Sequence, residues 1–220
     1  MRLASLPHDA EHRLLRLGLS SELVQRAVRT GELERVSCTS LDPESYPGTS
    51  AWALTIRSLR EQLLPHGWRK VSKNNLPLVV DPVRRIAIAV TSGSETVGDP
   101  SLGACPTTKY PKGPVFVHQV QVNRRQLVMF PERSHTPLPI DGEFVTWLLM
   151  VRSEYHPKTE AVGEHVAFCE LSLPAEIDEE GYVTAWAERI VLEPVRLDQS
   201  RPQERALIEE EIIVPVSRRR

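Results

Sequence analysis

Residues 84–123 read RRIAIAVTSGSETVGDPSLGACPTTKYPKGPVFVHQVQVN, and the parsing of this stretch decides what fold the chain can make. Two runs rich in valine, isoleucine and alanine flank a segment dominated by Gly, Pro, Ser and Thr. Apolar β-branched runs bounded by turn-forming residues predict strands, so the stretch reads as strand, long loop, strand. Long aperiodic connections are uncommon inside compact domains, and those that occur are often binding loops or mobile connections.

Outward from this centre the same pattern recurs. Candidate strands cover 68–71, 78–80, 85–91, 115–122, 126–130, 144–152, 165–173, 182–192 and 212–216. Val83-Arg84-Arg85 after Asp81-Pro82 marks a hairpin between the second and third, and Asp178-Glu179-Glu180-Gly181 a turn near the end. The strands come as a run with short connections instead of alternating with helices. This predicts an α+β fold in which N-terminal helices pack on a mainly antiparallel β-sheet or partly open barrel.

The helices precede the sheet. Asp9 caps one that runs to Leu17 and stops at Gly18, and Ser20 caps a second that runs to Thr30 and stops at Gly31. This helical hairpin region, 1–36, is followed by an α+β sheet domain, 37–220, the two forming one compact unit. A connector over 37–50 carries turn signals at Asp42-Pro43 and Pro47-Gly48. Trp52, Ile56, Leu59 and Leu63 then recur on one face of a 3.6-residue period, which predicts a helix laid against the sheet and ended by Pro65 and Gly67. Residues 195–210 read as a linker with a short helix over 202–209.

Composition excludes little. With 27 basic and 29 acidic residues the net charge is -2, so no global field marks a nucleic-acid or anionic-membrane binder. No run of 18 apolar residues occurs and MRLASLPHDAEHR lacks a secretory core, which predicts a cytoplasmic protein without membrane association. Cys38, Cys105 and Cys169 are odd in number and widely spaced, so reduced thiols are expected. Arginine outnumbers lysine 22 to 5, a bias that genomic base composition explains as readily as phosphate recognition.

The central loop supplies Ser92, Ser94, Thr96, Thr107, Thr108, Lys109 and Lys112, whose hydroxyls and ammonium groups suit an anionic ligand or a partner surface. Neither P-loop nor G-x-G-x-x-G spacing accompanies them. Arg13, Arg16, Arg26 and Arg29 on the helical hairpin, with the terminal arginines, are candidates for nucleic-acid contact. A metal-dependent nuclease needs an acidic residue two places before a strand lysine, but Trp68, Val71, Thr107, Tyr110 and His156 occupy those places. A metal site would instead require at least three of Asp81, Glu95, Asp99, His118, His165 and Glu170 to converge. No catalytic residue, metal ligand or cofactor is assigned.

The pentapeptide QLVMF, Gln126 to Phe130, resembles the QLSLF peptide by which bacterial replication and repair proteins engage the sliding clamp, matching at Gln126, Leu127 and Phe130. That resemblance implies an exposed segment docking in an apolar groove. The expected function is a non-enzymatic binding or scaffolding component of an intracellular protein assembly, with a protein partner or a second copy of itself and a link to DNA transactions. The alternative is a metal-assisted hydrolase or nuclease with ligands from separate strands.

Overall fold

The structure is a computed structural model and describes residues 1–129, 144–156 and 163–198. In the stretch that opens the sequence reading, the first flank is the strand β4 (Ile86–Ser92) but the second is a helix, α4 (Pro114–Met129). Before β4 come β1 (Arg2–Ala4), α1 (Pro7–Arg16), α2 (Ser21–Ser37), α3 (Tyr46–Leu63), β2 (Arg69–Lys73) and β3 (Leu76–Asp81). After α4 come β5 (Val145–His156), β6 (Glu164–Ile177), β7 (Val183–Val191) and β8 (Val195–Asp198).

The strands form one sheet in the order β1-β7-β6-β5-β4-β3-β2, with β8 pairing β6. The sheet is open, ending at β1 and β2, so the barrel option falls away. Pairing is mainly antiparallel, but β1 runs parallel to β7 and β4 parallel to β5. A parallel pair requires a crossover, and α4 lies on that connection; helices are therefore not confined to the N-terminal third. β7 and β8 lie along the same edge of β6, separated at Pro194, which has no N–H to donate to a ladder.

Alternate residues of the central strands separate two cores. Ile86, Ile88 and Val90 face α1, α2 and α3, packing with Leu14, Val24, Val28, Ile56, Leu59 and Leu63. Ala87 and Ala89 face the other way, with Leu148 and Met150, against Phe116 and Val120 of α4. Helices thus cover both faces of the parallel pair.

Several local expectations shift for physical reasons. Ser20 does cap α2, accepting from Leu23 N at 3.2 Å, but Gly31 lies inside this helix, which continues to Ser37. A Cβ on Gly31 would fall 2.2 Å from Thr55 Oγ1 and 2.4 Å from Ala51 O, so the missing side chain lets α2 and α3 approach. α3 starts at Tyr46 with Pro47 in its first turn, a position where proline costs the helix no hydrogen bond. In α4, Pro114 again opens the helix, and its inward face carries Phe116, Gln119, Val120 and Asn123. Asn123 donates to Thr146 O and Pro174 O and accepts from Thr146 N, so two polar groups interrupt the apolar stripe that would have signalled a helix.

The backbone of residues 126–129 ends α4, so the QLVMF segment is not a strand there; Phe130 lies outside the described residues. So do the candidate helix over 202–209, the candidate strand over 212–216 and the terminal arginines. Residues 195–198, read as linker, form β8. Among the described residues no helix is long and apolar enough to cross a membrane.

Candidate functional site

The long loop between β4 and α4 is pinned to the sheet by buried polar groups. Arg189 on β7 and Glu170 on β6 are fully buried and paired, Arg189 Nη2 to Glu170 Oε2 at 2.6 Å. Arg189 also donates to Ala104 O and Asp99 O, both at 3.1 Å, while Glu170 Oε2 accepts from Gly98 N. Trp186 Nε1 donates to Pro106 O at 2.7 Å and Thr107 Oγ1 to Val183 O at 2.9 Å. These contacts tie the loop to β6 and β7 as one wall.

That wall closes one side of a cleft of ≈ 720 Å³ at the carboxyl end of β4, beside the middle of β5, which runs on to His156. Thr91, Ser92 and Gly93 from β4 and its exit, with Val151, Arg152 and Ser153 from β5, form the floor. The first turns of α3 stand on one side, and Lys109, Tyr110, Lys112 and Phe116 on the other. In sheets with parallel strands, the crevice beyond their carboxyl ends, between helices on opposite faces, is a favoured ligand position.

Among the described residues, the lining of this cleft holds Arg35, Lys109, Lys112 and Arg152 and one carboxylate, Glu44. Arg35 bonds Glu32 through Nε at 2.9 Å, and Arg152 pairs with Glu154 and stacks over Phe168 at 4.0 Å. Lys112 differs. Its side chain is half-buried and its Nζ reaches Thr91 Oγ1 at 2.5 Å, with no carboxylate partner among the described residues. Burial pulls its pKa below the usual lysine range. Lys109 projects outward over the Tyr110 ring.

A second hollow of ≈ 860 Å³ adjoins the first and shares Gly93, Lys109, Arg152 and Ser153 with it. Ser94, Thr96, Thr107 and Thr108 line it. The Thr108 hydroxyl is buried there without a hydrogen-bond partner among the described residues. Ser94 accepts from Thr107 N at 3.0 Å and meets Thr96 Oγ1 at 3.2 Å, so these hydroxyls serve the loop itself. The seven loop residues selected from sequence thus border one or both hollows. Trp52, Arg35 and Arg152 also line the first, and no local motif in the sequence connects them to it.

The other candidates are placed apart. Arg13 is buried and bidentate to Glu188, with Nε at 2.5 Å and Nη2 at 2.7 Å, so it faces β7 and not a phosphate. Arg26 pairs with Glu22, Arg29 donates to Arg196 O, and Arg16 is exposed. Among the described residues no group of three His, Cys, Asp or Glu is placed to hold a metal ion. Asp81 is occupied by Arg84 at 2.7 Å, His165 by Glu32 at 2.7 Å and Glu170 by Arg189. His118 and Glu95 are exposed.

Behind the cleft, Glu32 Oε2 accepts from Arg35 Nε and from Ser153 Oγ and bonds His165 Nε2. Burial alone raises the Glu32 pKa, but the His165 bond, the Arg35 charge and the Ser153 bond outweigh it and hold the carboxyl below its usual range. This network fixes Arg35 and Ser153 at the cleft wall. Compared with known proteins, the chain matches no family model and shows no significant similarity to a curated protein or a solved structure.

Proposed function

We propose that the protein works by binding, as a component of an intracellular assembly that holds an anionic group in the cleft at the carboxyl end of β4, beside β5. Lys112 carries this reading. A half-buried ammonium bonded to one neutral hydroxyl has lost hydration without gaining a counter-charge, and an entering anion restores the balance. Lys109 adds to the field, Arg35 and Arg152 present donors beside their glutamate partners, and the Thr108 hydroxyl, unpartnered among the described residues, offers a further polar contact in the adjoining hollow.

The test is calorimetric titration of the full chain with pyrophosphate. Lys112→Met should weaken binding roughly 10- to 100-fold, the worth of a hydrogen bond to a charged group. The same substitution should leave the melting temperature unchanged or raised, because the lysine is desolvated without a salt bridge. Equal affinities in wild type and variant contradict the proposal.

A further inference from the structure

We infer that the ligand of the cleft is a nucleoside phosphate, its base lying on Trp52 and its phosphate at Lys112; this rests on the anion-binding reading above. Trp52 begins the apolar stripe of α3, yet it is absent from the core that Ile56, Leu59 and Leu63 enter. It is 36% exposed and lines the cleft. Its ring is nonetheless fixed, because Nε1 donates to Val90 O at 2.9 Å. A tryptophan anchored by its N–H and open elsewhere is a stacking platform, and every nucleobase has a face to offer it.

The register of β4 sets this platform beside the charge. Trp52 is tied to Val90 and Lys112 to the next residue, Thr91. Trp52 comes from α3, which packs on the face that carries the Val90 side chain, and bonds the Val90 main-chain carbonyl. Lys112 bonds the Thr91 hydroxyl on the opposite face, so ring and ammonium approach the strand end from opposite sides. A flat aromatic group joined to an anion by a short spacer satisfies both walls. Phe116, Leu76 and Pro77 add apolar lining.

The experiment titrates the full chain with AMP and with ribose 5-phosphate, which keeps the phosphate and lacks the base. Wild type should bind AMP roughly 5- to 100-fold more tightly, the range that base–aromatic stacking supplies. Trp52→Leu should bring AMP down to the affinity of ribose 5-phosphate, and Trp52→Phe should retain a preference. Circular dichroism checks the fold of both variants; the wild-type ratio decides the question even if one fails to fold. Equal binding of the two probes by wild type overturns the nucleoside assignment while leaving the anion site standing. Absence of binding by both probes and by pyrophosphate overturns both.

Discussion

A buried and a half-buried cation illustrate how differently a charge is accommodated. Arg189 has Glu170 and two loop carbonyls around it, so its charge and most of its donors are satisfied. Removing one partner of such a pair strands the other in a low-dielectric interior, at about 3–5 kcal/mol. Arg189→Met should therefore lower stability by about that amount in urea denaturation. Joint replacement of Arg189 and Glu170 by apolar residues should recover most of the loss. Lys112 has no such partner among the described residues, and its depressed pKa gives a second expectation. An anion stabilises the protonated form, so affinity for pyrophosphate should fall as pH rises through the free-protein pKa, earlier than an ordinary lysine would allow. Calorimetry across neutral to alkaline pH reads this directly; an affinity that rises with pH opposes it. The thiols give a third expectation. Burial pushes Cys169 up to about 12, whereas Cys105 is exposed, so a thiol reagent should label Cys105 in the native protein and spare Cys169 until unfolding.

The elements differ in how much of them the sequence discloses. β3 and β4, with the Asp81 turn between them, are visible in their apolar runs and turn residues, and Asp81 Oδ1 accepts from Val83 N and Arg84 N as an aspartate in such a turn does. α4 is not visible. Its valines imitate a strand, and the inward Gln119 and Asn123 are justified only by Thr146 and Pro174, far away in sequence. Pro114 at the first helical position was the available signal. Gly31 misleads similarly, because a glycine needed for close packing looks like a helix stop. Alanine is the better helix former by about 1 kcal/mol, yet Gly31→Ala should destabilise by about 1–3 kcal/mol through overpacking against Thr55 and Ala51. A denaturation midpoint at or above that of wild type would refute the packing role. The loop hydroxyls and lysines could be selected from composition alone, but Trp52, Arg35 and Arg152 join them only through the sheet.

For the molecule as a whole, the mixed sheet determines where the cleft lies. The parallel pairing of β4 with β5 places the exit of β4 beside Val151 to Ser153 of β5, α3 and α4 cover opposite faces, and the Arg189–Glu170 pair holds the loop that completes the wall. Glu32 ties α2 to β5 and β6 behind this cleft. Its lowered pKa means that the stability it adds is present above the ordinary value of 4.5 and is lost as pH falls through its folded-state pKa. Glu32→Gln should therefore flatten the acid limb of the stability profile while costing stability at neutral pH.

Amide chemical-shift mapping during titration with pyrophosphate locates an anion that enters at the carboxyl end of β4 beside β5. Saturable shifts should concentrate at Thr91 to Gly93, Lys109, Lys112 and the first turn of α3, and should diminish in Lys112→Met. Shifts centred on Arg16, Arg26 and Arg29, or none that saturate, would contradict this placement of the anion.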